Sequence, residues 1–294
     1  MMRSQTYRHK NSSLIWYLFL LPTFLGILLF MVYPVFESLR LSLYVSRGAI
    51  ETWAGIENYK TVLSSNVFWK AVYNTFYMGF FQLLLTIPFG FILASLITEL
   101  KWGKNLFKIL LFIPYITSVV AASMLFLFVL HPEFGLLNYF LSMLGLPTSV
   151  WLAEPSSARW GAILLGSWHW LGFVVIIFLA NLQAISEEIY EAGAIDGATG
   201  IQKWLYITIP NMYGTFSFLI VIGWISGLQR FTDVYLLGGL QGSPARSLHT
   251  IVGFIYERGF GGSEYGIASA AAYVLFAIIL FFTVLNLKLT KMKI

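Results

Sequence analysis

Charge is scarce in this chain and cysteine is absent. Only 11% of the 294 residues are Asp, Glu, Lys or Arg, against about 25% in soluble domains. With 58% of residues apolar, a soluble globular fold is excluded and lipid must act as the solvent. The lack of cysteine excludes disulfides and thiolate metal sites. The net charge of +5 is modest, and the basic residues lie beside apolar runs, which argues against nucleic-acid binding. There is no G-x-x-x-x-G-K-[ST] phosphate loop, so the chain cannot itself be an ATPase of that type. The four histidines, His9, His131, His169 and His249, share no short motif. No metal-ligand cluster or catalytic set supports an integral-membrane enzyme.

What is present is a series of charge-free windows: 11–36, 71–98, 109–132, 160–186, 204–229 and 265–287. Each is long enough for a membrane helix of about 20 residues. The hydrocarbon cores are expected at 14–34, 74–97, 107–130, 160–182, 212–236 and 265–287. The uncharged run 134–153 holds Gly135, Asn138, Gly145 and Pro147 and reads as a short external helix and loop. The expected fold is an all-α membrane protein, one domain over 1–294, with six transmembrane helices. The first run is too long for a signal-peptide core and lacks a small-x-small cleavage site, so it is expected to be retained.

Six spans put both termini on one side. With the N-terminus inside, the inner segments hold Arg3, Arg8, Lys10, Lys101, Lys104, Lys108, Lys203, Lys288, Lys291 and Lys293, ten of the 18 basic residues. The other eight are spread over longer outer segments, so the positive-inside rule favours this orientation. Pro88 and Pro114 fall inside spans two and three, as hinges or as static kinks.

One polar stretch lies between very apolar neighbours: SEEIYEAGAIDGATGIQKWLYITIP, residues 186–210. Ser186 can cap a helix that has Glu187 and Glu188 in its first turn, where carboxylates suit the helix dipole. Ile189, Ala192 and Ile195 give it an apolar side. Gly197 marks a turn. Thr199 can cap a second helix with an apolar face of Ile201, Trp204, Leu205 and Thr208, ended by Pro210. Neither helix is long enough to cross a bilayer.

Glu191-Ala192-Gly193-Ala194-Ile195-Asp196-Gly197-Ala198, then Trp204, Ile207, Ile209 and Pro210, resembles the EAA loop of ABC importer permeases of the carbohydrate-uptake type. Gly193 stands where that family usually has alanine. The resemblance implies a cytoplasmic helical coupling loop. Glu188, Glu191, Ala192, Asp196, Gly197, Ala198 and Pro210 would meet an ATPase subunit dimer, which uses the ATP and Mg; this chain would bind no cofactor and no metal. A second permease subunit, in a heterodimer or with a homodimer as the alternative, and an extracellular solute-binding protein are implied as partners. The implied setting is a bacterial or archaeal cytoplasmic membrane. Trp53, Gly55, Asn58 and Tyr59 are similar to the family's WxGxxNY segment, and Gly238, Gly239, Gly242, Pro244 and Arg246 to its Gly-Gly-Pro loop. These outer loops would either dock the binding protein or form a packed cap.

By resemblance to a family sugar pocket, Leu171, Gly172 and Val175 in span four and Gly223, Gly227 and Arg230 in span five are substrate positions. Trp170, Gln229 and Asp233 adjoin them. Trp168, His169 and Trp170 suit either a sugar-stacking face or an interfacial aromatic belt. Gly223 and Gly227 also form a small-xxx-small pair, which marks close helix packing. Arg230 and Asp233 are spaced to pair on one helix face near the outer surface; alternatively, Arg230 meets an anionic part of the substrate. The function expected is import of a sugar, oligosaccharide or polyol by alternating access. The alternatives are a glycerol-phosphate or uronate-type substrate, or an ion-coupled secondary transporter. The last would need carboxylates in the central part of a span, and none is expected there.

Overall fold

The computed structural model describes residues 12–47 and 50–291. Arg3, Arg8, Lys10 and Lys293 of the orientation argument lie outside them. The described chain is nearly all helical. Helix α1 runs over 12–42, through a π-turn at Leu28–Val32. It outlasts the expected span 14–34 because the charges that close the apolar window are paired. Arg40 Nε donates to Glu37 Oε1 at 3.0 Å and Arg40 Nη1 to Glu51 Oε2 at 2.8 Å.

Glu51 belongs to a hairpin that the all-helical expectation lacks: β1 (Tyr44–Arg47) pairs antiparallel with β2 (Ile50–Trp53). Two flanking residues hold it. Asn58 is buried and its Nδ2 donates to the carbonyls of Ser42 (2.9 Å) and Tyr44 (2.7 Å). The Tyr59 hydroxyl sits 2.8 Å from Ser42 Oγ. Asn58 and Tyr59 are therefore parts of a packed cap.

Helix α2 (Glu57–Ser64) leads to α3 (Asn66–Glu99), continuous through Pro88. The third apolar window is not one helix. Helices α4 (Lys104–Ile116) and α5 (Val119–Val129) meet at 97°. Thr117 Oγ1 turns back to the Pro114 carbonyl at 2.6 Å, and Thr117 is extended and Ser118 non-helical. Hydroxyl side chains that bond the local backbone compete with helix at this point. Helix α6 (Leu136–Met143) has eight residues and is the short helix expected in 134–153. Helix α7 (Pro155–Leu182) runs alongside α3.

Helices α8 (Glu187–Ile195) and α9 (Gly200–Asn211) form the polar stretch, and α9 bends by 58° at Met212 into α10 (Tyr213–Leu228). The fifth span is not the single helix expected over 212–236. It stops at Leu228 and resumes as α11 (Thr232–Gly238). Helix α12 covers 251–261 and α13 is Tyr265–Lys291. Among the described residues, four helices are long and apolar enough to cross a membrane, or six when α4 with α5 and α9 with α10 each count as one bent span.

Among helices in lipid, close packing does the work that water-driven burial does elsewhere. Gly90 on α3 admits Val174 of α7: a Cβ there would be 2.6 Å from Val174 Cγ1. Phe91, Val174, Phe178, Met212 and Leu219 fill the core at the α8–α9 end. Met78, Leu130, Ile163, Leu165 and Leu248 fill a second core further along the bundle. Phe68, Leu228, Ile251, Phe254 and Ala270 bind α13 to the rest.

Candidate functional site

Two regions carry the residues singled out in the sequence. The first is the α8–α9 elbow. Ser186 Oγ accepts from the Glu188 N–H at 3.3 Å, so the predicted cap is formed. Helix α8 closes with Ala198 N–H on the Gly193 carbonyl (2.9 Å) and Gly197 N–H on Ala194 (3.1 Å). This is a Schellman end, which needs a left-handed residue; Gly197 supplies it at φ +78°. Thr199 and Gln202 then make a reciprocal capping box on α9.

Pro210 does not end this second helix. The helix passes through a π-turn at Trp204–Thr208 and continues to Asn211. A proline lacks the N–H of an α-helical ladder, and the wider turn, with Ile209 N–H on the Trp204 carbonyl, bridges the gap.

Half of the predicted apolar face of α9 turns inward. Thr208 is buried and lies 2.9 Å from the Tyr190 hydroxyl of α8. Trp204 reaches α3, where its Nε1 donates to Ser95 Oγ at 3.0 Å and its ring stacks on Phe91 at 5.3 Å. Ile201 and Leu205 point outward instead, as does Ile195 of α8, which is 87% exposed. Glu188, Glu191, Ala192, Asp196, Gly197 and Pro210 are all exposed on the elbow, with Ala198 partly so. Gly193 faces Ile207, whose Cδ1 would be 2.8 Å from a Cβ there. The elbow is therefore stiff, braced to α3, and presents an apolar and acidic surface that no other described residue covers.

The second region is a cavity of about 290 Å³. It opens against the midpoints of α3 and α7, beside the break between α10 and α11. Of the predicted substrate positions it gathers Trp170, Gly223, Gly227, Arg230 and Asp233. It does not gather Leu171, Gly172, Val175 or Gln229. Gly172 is used up in packing, since a Cβ would overlap the Leu111 carbonyl of α4. Val175 is fully buried in the core. Gly223 and Gly227 serve both roles that their spacing allows. Gly227 abuts Gly79, Gly223 admits Leu83 and the Trp170 ring, and both line the cavity. Trp168 turns away onto Phe126, at 5.4 Å between ring centres, while His169 holds the α4–α5 break, with Nε2 3.2 Å from the Thr117 carbonyl.

His169 also lines the cavity, and Gln82, Ser226 and Thr232 complete its polar lining. Gln82 had a visible signal, being an amide in the middle of a long charge-free window.

Arg230 and Asp233 do pair, but not on one helix face. Arg230 lies in the unwound stretch after α10, and Asp233 in the first turn of α11, where the helix dipole favours a carboxylate. Arg230 Nε donates to Asp233 Oδ2 at 2.7 Å and Nη2 lies 2.5 Å from the same oxygen. Nη1 donates to Gln82 Oε1 at 3.0 Å and Nη2 to the Ala162 carbonyl. Both side chains are buried. The pair thus sits level with the middle of α3 and α7 rather than at the end of the bundle.

Beyond the cavity, the loop before α12 is tied to it. Thr250 Oγ1 donates to the Arg230 carbonyl at 2.8 Å, and Asn74 of α3 donates to the carbonyls of Arg246 (2.7 Å) and His249 (3.0 Å). Arg246 grips Glu257 with two bonds of 2.8 and 2.9 Å, which hold the Glu257 carboxyl below its ordinary range. Burial pushes His249 down to about 4, against the opposing pull of Glu257.

A bundle of apolar helices with a polar cavity midway along it, and a braced elbow at one end, defines a multi-pass membrane transport subunit. The chain belongs to the family of binding-protein-dependent transport system inner membrane components, whose pattern it matches over residues 86–290. It is 33% identical to the arabinooligosaccharides transport system permease protein AraP of Bacillus subtilis (strain 168), over 93% of this chain and 88% of that one. It is 34% identical to the lactose transport system permease protein LacF of Rhizobium radiobacter, over 88% of each chain. In structure it is similar to a chain of a bacterial alginate ABC transporter solved in complex with an alginate pentasaccharide-bound periplasmic protein. The TM-score is 0.81 at 27% identity, covering 93% of both chains.

Proposed function

We propose that this chain is the permease subunit of an ATP-binding-cassette importer carrying a sugar, oligosaccharide or related polyol across the cytoplasmic membrane. In this reading the α8–α9 elbow lies in the cytoplasm and seats in a groove on a separate ATPase. Glu188, Glu191, Asp196 and Gly197 form the contact, with Ala192, Ala198 and Pro210 shaping it. The partner dimer binds ATP and Mg. A second permease subunit, different in sequence, closes the other half of the path, and a solute-binding protein delivers substrate from outside.

The observation that carries the reading is the bracing of the elbow to α3 by Trp204. A lever needs stiffness and a fixed attachment, and no catalytic group. Closure of the ATPase dimer would move α9, and through Trp204 and Phe91 would tip α3, which carries Gln82 in the cavity wall. The carbohydrate class is supported by the relatives named above and by the cavity itself. Trp170 offers an apolar ring face, and Gln82, Ser226 and Thr232 offer neutral hydrogen-bonding groups. The test is uptake by the whole transporter in proteoliposomes. ATP-dependent accumulation of an oligosaccharide, abolished when the ATPase or the binding protein is omitted, is expected. Accumulation driven by a proton or sodium gradient without ATP would overturn it.

A further inference from the structure

We infer that the cavity admits uncharged saccharides and rejects acidic ones, and that Asp233 is the residue that sets this choice; the inference rests on the carbohydrate reading above. An arginine in a substrate cavity is ordinarily a receptor for carboxylate or phosphate, because its planar fork matches two anionic oxygens. Here four of its five N–H donors are already taken by protein oxygens. Each guanidinium nitrogen of Arg230 has a protein acceptor: Asp233 for Nε and Nη2, the Ala162 carbonyl for Nη2, and Gln82 Oε1 for Nη1.

The chain makes room for this arrangement. At Gly166 of α7 a Cβ would lie 2.9 Å from Arg230 Nη2 and would overlap Gln82 Oε1, so glycine is what lets the guanidinium turn into the wall. The pair is nearly closed to solvent, with side-chain exposures of 7% and 11%.

Arg230 and Asp233 are also the only Asp, Glu, Lys or Arg among the described residues that line the cavity, so these residues give its wall no net fixed charge. A carboxylate on the substrate would have to displace Asp233 from a buried pair, or lie beside it and be repelled. What remains for a ligand is one Nη1 N–H of Arg230, the Gln82 amide nitrogen, the hydroxyls of the exposed Ser226 and Thr232, and the rings of His169 and Trp170. Those groups fit sugar hydroxyls and the apolar face of a sugar ring.

Replacing Asp233 by the isosteric amide leaves the guanidinium with its full charge in the same place. Asp233→Asn should therefore turn the cavity into an anion receptor. The assembled transporter, held in nanodiscs with ADP and vanadate and without binding protein, exposes the cavity alone. The probes are neutral malto-, galacto- and arabino-oligosaccharides of two to five units, and galacturonate and mannuronate oligosaccharides of the same lengths. We expect the wild type to bind at least one neutral probe ten times more tightly than any uronate. In Asp233→Asn the affinity for uronates should rise at least tenfold. That gain should vanish in Arg230→Gln/Asp233→Asn, while Asp233→Glu keeps the wild-type preference. Uronate binding by the wild type at or above the neutral level overturns the inference and leaves the carbohydrate reading intact. So does an unchanged uronate affinity in a folded Asp233→Asn transporter. Should that variant fail to assemble, the wild-type ratio still decides. Binding of neither saccharide class refutes the carbohydrate reading itself.

Discussion

Trp204 and Ser95 are joined by a 3.0 Å hydrogen bond, the indole of α9 donating to the hydroxyl of α3. Phe91, one turn earlier on α3, takes the face of the same indole. Phe178 and Phe216 pack on Phe91 at 5.1 and 5.0 Å, which brings α7 and α10 into the joint. Four helices thus meet where the elbow joins the bundle.

Trp204→Ala should disconnect the elbow. Removing a packed tryptophan costs about 3 kcal/mol at the lower end of the usual range, fitting a partly buried ring. The transporter should keep its basal ATPase activity while uptake drops at least tenfold. Trp204→Phe keeps the stack, loses a bond worth about 1 kcal/mol, and should retain most uptake. The check is the ratio of sugar moved to ATP hydrolysed in proteoliposomes; an unchanged ratio in the alanine variant would tell against the joint.

Gly197 sets the angle between the two elbow helices. Its φ of +78° is strained for a β-branched residue, at a cost of about 1–3 kcal/mol. No described neighbour lies within 4 Å of where its Cβ would be, so crowding from these residues adds nothing. Gly197→Val should therefore uncouple hydrolysis from uptake, and Gly197→Asn, which tolerates the left-handed region, should do so much less. Equal loss in both would mean that contact surface, rather than angle, matters there.

Much of this elbow is readable in the bare chain. Ser186, Thr199 and Gly197 hold the cap and turn positions that their residue types demand, because capping is local chemistry. The choice between Trp204 and Ile201 is not local. Both lie on the apolar side of α9, and only the packing against Phe91 and Ser95 decides which turns inward. The break at Thr117 is hidden for a similar reason, since hydropathy runs evenly across it. Hydropathy windows also stop at the first charge, so they cannot show that Glu37 and Arg40 neutralise each other and let α1 continue. In the cavity, Arg230 and Asp233 announced themselves as charges in an apolar span. Their partners Gln82 and the Ala162 carbonyl come from helices far away in sequence, and a backbone carbonyl leaves no trace in composition.

The Arg230–Asp233 pair should behave as a buried ion pair in stability as well as in specificity. Asp233→Leu strands a buried guanidinium and should cost about 3–5 kcal/mol, whereas Arg230→Met/Asp233→Leu together should be close to neutral. Thermal melting of the detergent-purified complex separates the two. A double variant as unstable as the single one would contradict the assignment.

Acid should loosen the loop before α12. An unfolded imidazole titrates near ~6.5, but buried His249 titrates at about 4. Between those values the unfolded chain takes up a proton that the folded chain refuses. Stability from this group is therefore constant above pH ~6.5 and falls as pH drops towards 4, by roughly 3 kcal/mol in all. Glu257, held low by Arg246, adds a loss of the same sign at lower pH. Melting temperature against pH should show a decline beginning near pH ~6.5, and His249→Gln should remove that first part. An identical slope in both proteins would contradict it.

Under the proposed function, the α8–α9 elbow is the handle that a separate ATPase grips on the cytoplasmic side. Because the chain has no cysteine, a single cysteine at Ile195 or Ile201, both strongly exposed, can be read without background from this chain. In membrane vesicles of known orientation, a short bifunctional cross-linker should join either cysteine to the ATPase subunit. A membrane-impermeant maleimide should reach both only from the cytoplasmic face. Labelling from the external face, or failure of both positions to capture the ATPase in an intact and active complex, would contradict the account.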